Sequence, residues 1–591
     1  MNRSISFYNT QLDKHQKQVS TLDKQLLISS ISRLVTFIIA SFGIYLSLPN
    51  WNVAAAVGII ALAIFLFLLS KHTRKKAKRE LHKALVHINQ EELKIASGDF
   101  HHRPTGLKFQ DPSHFYSLDI DLFGKGSFFQ YFNRTQSNEG EAQLATLLQA
   151  NPVDHIEYRQ HAVKELSEQT EWTQLYAGTS SLITTETPAK SIIAWLKSHD
   201  TFIPKQLIWA SWIFILISVS LLSLAILDTI SLSFFGYWIF IGLGITGMYL
   251  KKINKLALNA DKAKDTFKQY ASLLSQIEEH PFTSPLLKAK QEKIKSKTKK
   301  ASDIFSEFSK YLDALDNRNN LFGAVLGNGY LLLDIRNAYN VEQWISKYAH
   351  KVEDWFEVVA FFDAYNSLGS YAFNHEDHVF PKISEHGDII NAIELGHPLL
   401  DNKKRISSNV TIKNKEFFIV TGANMAGKST FLRTVSLHIV MANMGLPVCA
   451  KTSNYSPVKL ITSMRTTDSL TDDSSYFFSE LKRLKFIVDV IDKTPYFVIL
   501  DEILKGTNST DKAIGSRKFV EKLVAGNATG IIATHDLSLC EISEELNAVK
   551  NYYFDAEIIN DELFFDYKFK KGICQNMNAS FLLKKMKIID N

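Results

Sequence analysis

The chain has 591 residues, of which 46% are hydrophobic and 22% are charged. This balance is typical of a folded protein and excludes a disordered or collagen-like chain, and the length corresponds to roughly four domains of about 150 residues. The net charge of +6 is too small to indicate a polyanionic partner by itself. Cys449, Cys540 and Cys574 are too few for a disulfide framework, which favours a reducing compartment for at least the C-terminal third.

Four apolar runs are hidden in a mean hydropathy of −0.06. They cover residues 31–48, 53–70, 207–227 and 230–250. A membrane-spanning helix needs about 20 apolar residues, within a range of roughly 17–25, so two runs fit well and two are at the short end. Buried core helices are the alternative, although core helices rarely lack charge over such lengths. The short turn inside each pair predicts two transmembrane helical hairpins.

Basic residues beside these runs predict their orientation. Residues 71–79 hold six Lys or Arg, Lys205 precedes the third run, and Lys251 and Lys252 follow the fourth, whereas the two turns hold no Lys or Arg. The positive-inside rule therefore places both termini and the long middle segment in the cytoplasm. The first 30 residues are too polar and too long for a signal peptide's basic region, so the first run is predicted to be an uncleaved anchor.

A G-x-G-x-x-G pattern occurs at residues 242–247, inside the fourth apolar run. A dinucleotide site requires this pattern between a strand and a helix. Within an apolar segment, glycines more often allow membrane helices to approach each other closely. We therefore reject a cofactor site at these glycines.

A complete G-x-x-x-x-G-K-S pattern occupies residues 422–429, between a predicted buried strand at 416–420 and a predicted helix at 430–441. This strand–loop–helix context is the one that a phosphate-binding P-loop requires, because backbone N–H groups then converge on phosphate at a helix N-terminus. Lys428 is predicted to contact the β- and γ-phosphates of ATP, and Ser429 to ligate Mg²⁺. The predicted nucleotide-binding residues are Gly422, Ala423, Asn424, Met425, Ala426, Gly427, Lys428, Ser429 and Thr430.

Two further apolar strands are predicted to deliver the remaining catalytic groups. Residues 496–500 end at Asp501 and Glu502, and residues 530–534 end at His535. An Asp in that position can hold the Mg²⁺ shell, and the adjacent Glu can polarise the attacking water. The histidine can contact the γ-phosphate or the water. Together these segments predict an ATP-hydrolysing α/β domain with Lys428, Glu502 and His535 as its catalytic residues.

The loop at 421–430, with its Asn424-Met425 pair, resembles the ATPase domain of the MutS mismatch-repair family. Residues 501–507 and 533–535 resemble the second motif and the switch histidine of that family. The resemblance covers roughly residues 350–570 and, more weakly, 115–170 at the start of the helical core. It implies a dimer in which Ser474 and Ser475, with the nearby residues Arg465, Asp468 and Glu480, complete the site of the opposing subunit.

Several features depart from the family pattern. Ala423 replaces the usual Pro, and Asp472-Asp473 replace Gly-Arg before the Ser pair, which changes the charge of the contact between subunits. We find no mismatch-reading domain before the core, where apolar runs occupy the chain instead, and no nuclease-like domain after the ATPase domain. The run pair at 207–250 interrupts the helical core. The resemblance therefore predicts a membrane-anchored MutS-related ATPase.

Residues 251–300 hold 13 Lys and 5 acidic residues, a local charge of +8 within a chain of net charge +6. In the MutS family, long lever helices embrace DNA mainly through its phosphates, and a lysine-rich lever would bind with strong salt dependence. Anionic lipid headgroups and a plain solvated helix face are the two alternatives. DNA is the predicted partner of this segment.

The predicted fold is an α/β P-loop ATPase domain of the ABC-like, MutS type, joined to an all-α core and lever region with two transmembrane hairpins. The predicted units are residues 1–80, 81–200, 201–251, 252–395 and 396–591. The predicted function is that of a DNA-binding, ATP- and Mg²⁺-dependent homodimer in DNA repair or recombination, multi-pass in a bacterial-type inner membrane with its ATPase domain in the cytoplasm. The alternatives are a membrane ATPase that remodels or transports another substrate, and a nucleotide-gated dimerising scaffold.

Overall fold

A computed structural model describes residues 3–183, 187–295, 299–316, 321–465, 476–559 and 562–575. Up to residue 374, the described part of the chain is built from helices. These helices are α1 (Arg3–Ser47), α2 (Trp51–Ala96), α3 (Phe128–Phe132), α4 (Asn138–Gln149), α5 (Ile156–Glu168), α6 (Thr170–Ser181), α7 (Ala189–Ser198), α8 (Lys205–Ile226), α9 (Leu232–Glu279), α10 (Pro285–Ile294), α11 (Ala301–Asp316), α12 (Leu321–Leu331) and α13 (Leu333–Asn374).

The apolar runs lie within four helices, α1, α2, α8 and α9, that are long and apolar enough to cross a membrane. Within each of these helices, between 0% and 17% of the most apolar stretch is buried in the protein. Exposed apolar surface of this extent is typical of a helix that faces lipid, since soluble proteins rarely leave it uncovered. The spanning of a membrane remains a prediction, based on length and composition.

Three of these helices continue far beyond their apolar runs. α1, α2 and α9 are 45, 46 and 48 residues long, and their polar ends pack on the helical core. For example, Tyr8 of α1 donates a hydrogen bond of 2.7 Å to Asn374 at the end of α13. The helices therefore connect the predicted membrane segments rigidly to the core.

The centre of the helical core is α13, a 42-residue helix. Its Asp363 accepts hydrogen bonds from the backbone N–H groups of Gln136 and Ser137 and from the Ser137 hydroxyl, at 2.6–3.2 Å. These contacts fix the segment that begins α4. A Cβ atom at Gly140 would lie 2.2 Å from the Asp363 carboxylate, which explains the glycine in the first turn of this helix.

Asp363 gives the core a pH-dependent stability. Burial is the largest cause of a rise in the Asp363 pKa to about 6, and the hydrogen bonds from Ser137 oppose it. An acid whose pKa is raised by folding stabilises the fold below its unfolded pKa of about 4, and this stabilisation is lost as the pH rises through the folded value. We expect the stability of the wild type relative to Asp363→Asn to fall by roughly 3 kcal/mol between pH 4 and pH 7. Thermal unfolding in detergent at several pH values measures this difference, and a pH-independent difference would contradict it.

The C-terminal domain contains two larger sheets and a short β-ribbon. The six-stranded sheet has the order β12-β9-β4-β8-β7-β6, in which β9, β4, β8, β7 and β6 are parallel and β12 is antiparallel. The four-stranded sheet has the order β1-β5-β2-β3, and β10 pairs with β11. The strands are β1 (Lys382–Ile383), β2 (Asp388–Leu395), β3 (Ser408–Lys413), β4 (Phe417–Gly422), β5 (Thr452–Tyr455), β6 (Lys459–Ser463), β7 (Tyr496–Asp501), β8 (Thr529–Ala533), β9 (Val549–Phe554), β10 (Glu557–Ile559), β11 (Glu562–Phe564) and β12 (Lys570–Lys571).

Helices α14 (Lys428–Asn443), α15 (Tyr476–Ile491), α16 (Ser509–Ala525) and α17 (Ile542–Glu545) complete this domain. The predicted α/β architecture of the C-terminal part is therefore confirmed, as is the helical character of the region before it. β1 and β2, which precede the predicted boundary at residue 396, pair with β5. The first sheet thus begins at residue 382.

Candidate nucleotide site

The loop at 422–429 connects the central strand β4 with α14, as the sequence predicts. Strand β4 is fully buried, and Gly422 and Gly427 adopt positive φ angles of 145° and 105°. Met425 also has a positive φ of 68° and is 80% exposed at the mouth of the site. The loop ends at the first turn of α14, where the N–H groups have no partner within the helix. This arrangement forms a cradle for an anion.

Gly422 is required by its surroundings. A Cβ atom at this position would lie 2.5 Å from the carbonyl oxygen of Phe554, and the φ of 145° is strained for any other residue. We expect Gly422→Ala to displace the start of the loop, to lower nucleotide affinity by at least about tenfold, and to destabilise the domain by about 1–3 kcal/mol. Fluorescent-nucleotide titration and thermal unfolding measure the two effects.

Gly526→Ala is the matched control, because the closest contacts of a Cβ there are at 3.4 Å and 3.5 Å. It should bind nucleotide like the wild type. Equal nucleotide affinity in the two variants would show that the geometry at Gly422 is not critical.

The Lys428 side chain is held inside the loop. Its Nζ donates hydrogen bonds to the carbonyl oxygens of Gly422 and Ala423 at 2.8 and 3.0 Å and lies 3.2 Å from His535 Nε2. Lys428 is only 6% exposed, and this burial lowers the pKa of its ammonium group. A buried cation that has only carbonyl partners and one imidazole is well placed to receive phosphate oxygens.

Ser429 and Asp501 meet across the sheet edge. The Ser429 hydroxyl donates a hydrogen bond of 2.8 Å to Asp501 Oδ2. Burial is the largest cause of a raised Asp501 pKa, and the Ser429 hydrogen bond opposes it. Hydroxyl and carboxylate oxygens are the ligands that Mg²⁺ prefers, and a divalent ion would offset the cost of burying this carboxylate. The two residues therefore fit the predicted metal role.

Glu502 and His535 form the second contact of the site. The distance from His535 Nε2 to Glu502 Oε1 is 2.9 Å. This hydrogen bond is the largest cause of a Glu502 pKa of about 2, so the carboxylate is charged at neutral pH. Glu502 has a positive φ of 51°, and its N–H donates to the carbonyl oxygen of Ala533 at 2.9 Å, which anchors the end of β7 to β8. The carboxylate is thus both charged and fixed in position.

The sheet order explains why these residues converge. β8 lies between β4 and β7 and runs parallel to both, so the carboxyl ends of the three strands meet at one edge. The loop after β4, Asp501 and Glu502 at the end of β7, and His535 after β8 all lie at that edge. The structure therefore brings together Lys428, Ser429, Asp501, Glu502 and His535.

A cavity of about 550 Å³ opens beside this cluster. Its walls include the predicted loop residues Ala423, Asn424, Met425, Gly427, Lys428, Ser429 and Thr430, together with Glu502. The cavity is also lined by residues that the sequence did not single out for the site, namely Leu395, Leu400, Lys404, Ile406, Ser408, Phe431, Thr434, Phe554 and Tyr567. A cavity that is lined by this loop and by apolar side chains such as Ile406 and Tyr567 suits a nucleotide with its phosphates on the loop.

Ser474 and Ser475, predicted to complete the partner's site, lie outside the described residues, as do Asp468, Asp472 and Asp473. Two other residues of that segment are described. Arg465 lies 2.7 Å from Asp121, which also pairs with Arg433 at 3.2 Å. Glu480 is 3% exposed and accepts hydrogen bonds from the N–H groups of Leu504 and Lys505. Glu480 therefore holds the segment after Glu502 in place.

Comparison with known proteins identifies the C-terminal domain. Residues 418–588 match the model of MutS domain V. The chain is 32% identical over 223 residues to MutS protein homolog 4 of Homo sapiens, covering 35% of this chain and 23% of that protein. It is 29% identical over 224 residues to DNA mismatch repair protein MutS of Finegoldia magna, covering 36% and 26%. It is also 28% identical over 211 residues to DNA mismatch repair protein MSH4 of Arabidopsis thaliana, covering 35% and 26%.

The matches thus span about a quarter of the length of these relatives. The match to MutS domain V, residues 418–588, contains the loop at 422–429, α14 and the strands that precede Glu502 and His535. The C-terminal domain of this chain is therefore similar to domain V of the MutS family.

Proposed function

We propose that the protein is a membrane-anchored, dimeric MutS-like ATPase that binds DNA in an ATP-dependent manner. The observation that carries this proposal is the cluster at the sheet edge, where Lys428, Ser429, Asp501, Glu502 and His535 are linked by contacts of 2.8–3.2 Å. This cluster supplies a phosphate-binding cation, two oxygen ligands for a metal ion and a charged carboxylate.

The chemistry of the site follows from these groups. When ATP binds, Lys428 exchanges its carbonyl partners for phosphate oxygens, and the N–H groups of the loop and of α14 bind the rest of the phosphate chain. Ser429 and Asp501 would hold Mg²⁺, which would neutralise charge on the phosphates. Glu502 is placed to accept a hydrogen bond from the attacking water and orient it. In the structure, His535 holds this carboxylate, so a shift of the imidazole toward phosphate releases Glu502 for water.

A dimer is proposed because the site is open on one side. Met425, at its mouth, is 80% exposed, and the cavity reaches the surface there. Exposed apolar surface at a nucleotide site suits a contact with a second subunit. A homodimer in which the segment around Ser474 and Ser475 covers the partner's site would close this opening.

Anchoring in a bacterial-type inner membrane is proposed from the helices that are apolar enough to cross it. The basic segment at 71–79 follows the apolar run of α2, and Lys251 and Lys252 follow that of α9. Both flanks favour the cytoplasmic side for the core and the ATPase domain.

DNA is the proposed partner of the lysine-rich segment. Lys255 and Lys262 are exposed on the cytoplasmic half of α9, one and three turns beyond the predicted membrane boundary. Other lysines of the segment are engaged in ion pairs, such as Lys264 with Asp316 and Lys299 with Glu307, both at 2.7 Å. The exposed lysines provide the sequence-independent phosphate contacts that a lever helix needs.

The test measures DNA binding and ATP turnover of the purified chain at low and moderate salt, with homoduplex, mismatched and branched DNA, with and without nucleotide. We expect affinity for DNA to fall steeply with salt and ATP turnover to change when DNA is added. Absence of both effects at low salt would favour the alternatives, a membrane ATPase for another substrate or a nucleotide-gated scaffold.

Reversing the charge of the exposed lysines should weaken this binding. We expect K255E/K262E to lower DNA affinity at least about tenfold near 0.1 M salt and to reduce the slope of log affinity against log salt by about 2, because two phosphate contacts are lost. The matched control is K17E/K24E, which makes the same charge change at exposed positions of the cytoplasmic half of α1. If both variants lose affinity equally, only net charge matters and α9 is not the DNA-binding surface.

A further inference from the structure

A short apolar helix, α12, lies against the second predicted hairpin. Residues 321–333 carry no charge, but α12 has only 11 residues, too few to cross a membrane. In the structure it packs mainly on α8 and α9 and also contacts α13. Leu326 is 51% exposed on α12, so part of the helix faces outward beside the apolar surface of the hairpin.

Its contacts place α12 at the depth of the hydrocarbon layer. A Cβ atom at Gly242 of α9 would lie 2.2 Å from the carbonyl oxygen of Gly329, so the two backbones approach as closely as glycines allow. The rings of Tyr330 and Phe235 stack at 4.2 Å. At a rise of 1.5 Å per residue, Phe235 lies about 24 Å along α9 from Lys251, where the predicted membrane segment ends. Tyr330 is therefore beyond the middle of a layer about 30 Å thick.

The backbone and hydroxyl groups at this depth have partners inside the protein. Ser218 of α8 donates a hydrogen bond of 2.9 Å to the carbonyl oxygen of Tyr330, at the end of α12. The Tyr330 hydroxyl donates to the carbonyl oxygen of Phe235 at 3.2 Å. A segment that ends inside a bilayer requires such partners, because no water is available there.

The chain then returns to the side from which it came. It turns at Leu332, which has a positive φ of 49°, and the N–H of Asp334 donates to the Asn328 side chain at 2.9 Å. α13 runs back until Glu342 accepts hydrogen bonds from the N–H groups of residues 202 and 203, just before α8 begins. Before the segment in the chain, α11 ends at Asp316, which pairs with Lys264 in the cytoplasmic half of α9. Both ends of the segment thus lie on the cytoplasmic side.

We propose that residues 321–332 form a re-entrant segment that enters the bilayer from the cytoplasmic side and contacts lipid hydrocarbon with its outer face. The second membrane unit then consists of α8, α9 and α12 rather than of a simple hairpin. This inference rests on the membrane anchoring in the proposed function. Because α13 begins at the tip of the segment, the central helix of the core starts inside the membrane.

A nitroxide spin label reports whether a side chain faces lipid or water. We place it at Leu326→Cys in the full chain, reconstituted in phosphatidylethanolamine–phosphatidylglycerol liposomes, and compare collision rates with oxygen and with a water-soluble nickel chelate. The membrane control is Leu216→Cys, exposed on α8 about 16 Å from Lys205, and the aqueous control is Lys310→Cys, exposed on α11. The three native cysteines are buried, so the unsubstituted chain serves as the labelling blank.

The expected result is a high oxygen and low nickel collision rate at positions 326 and 216, with the opposite at 310. A nickel rate at 326 as high as at 310 overturns the re-entrant segment, and low rates with both reagents overturn it as well, because the helix is then covered by protein. If the nickel collision rate at position 216 is also as high as at position 310, the proposed membrane anchoring is contradicted. Leu331→Cys, at an outward position that is 36% exposed, repeats the measurement in case the first variant does not fold.

Discussion

ATP turnover is expected to fall at least about 100-fold when Lys428 is replaced by Ala, and nucleotide affinity should fall with it. The reason is that Lys428 Nζ is the buried cation at the loop, and its removal leaves the phosphate chain without its main charged partner. Phosphate release by the detergent-purified protein and titration with a fluorescent nucleotide measure both quantities. Undiminished turnover in this variant would falsify the assignment of the site.

The companion variant Glu502→Gln separates binding from chemistry. The amide keeps the size of the side chain but lacks the negative charge that orients the water, so turnover should fall by about 10²–10⁴ while nucleotide binding is retained. Glu521→Gln is a matched control, because it makes the same Glu-to-Gln replacement on α16. There the Glu521 carboxylate pairs with Arg517 at 2.9 Å. Equal turnover in the two variants would show that Glu502 has no catalytic role.

The core of the candidate site was predictable because its signals are local. The glycines and Lys428 stand at fixed spacing between a buried strand and a helix, and the two other strands are short apolar runs that end in Asp501 and His535. Parallel strands share one edge, which is enough to bring their ends together. The apolar residues that line the cavity have no such signal, because residues such as Ile406 and Tyr567 are far apart in sequence and are ordinary hydrophobic residues by pattern.

The predicted membrane segments also show that local sequence signals do not reveal contacts between distant parts of the chain. Apolar runs of 18–21 residues indicated four helices. Three of them, α1, α2 and α9, continue beyond these runs because their polar halves pack on the core, as the buried side chains Leu85 and Phe267 show. The apolar run at 321–333 was too short to be noticed as a membrane segment. Its position beside α8 and α9 follows from three-dimensional contacts, such as the close approach of Gly242 and Gly329.

The pairing of β1 and β2 with β5 could not be predicted from the sequence for a related reason. β1 and β2 precede residue 396, and each pairs with β5, more than fifty residues later in the chain. Pairing between segments so far apart leaves no local signal in the sequence. The pattern of single segments therefore predicted the element types better than the domain to which they belong.

One buried carboxylate, Glu92 of α2, joins the N-terminal helices to the core. It is 6% exposed and accepts hydrogen bonds from Arg134 Nε at 2.5 Å, Arg134 Nη2 at 3.2 Å and the Asn374 amide at 3.0 Å. Tyr8 of α1 donates to the same Asn374 at 2.7 Å. Four segments that are distant in the chain therefore meet around one charge.

We expect Glu92→Ala to lower the free energy of unfolding of this region by roughly 3–5 kcal/mol, because it leaves the Arg134 guanidinium in the interior without its anion. The matched control is Glu80→Ala on the same helix, whose side chain is 38% exposed and pairs with Arg79, and which should cost about 0–1 kcal/mol. Hydrogen exchange of α1 and α2 in detergent measures the local opening free energy. Equal exchange in the two variants would mean that the Glu92 contacts do not fasten the first hairpin. Faster exchange confined to Glu92→Ala, with ATP turnover retained, would show that this carboxylate couples the predicted membrane anchor to the core.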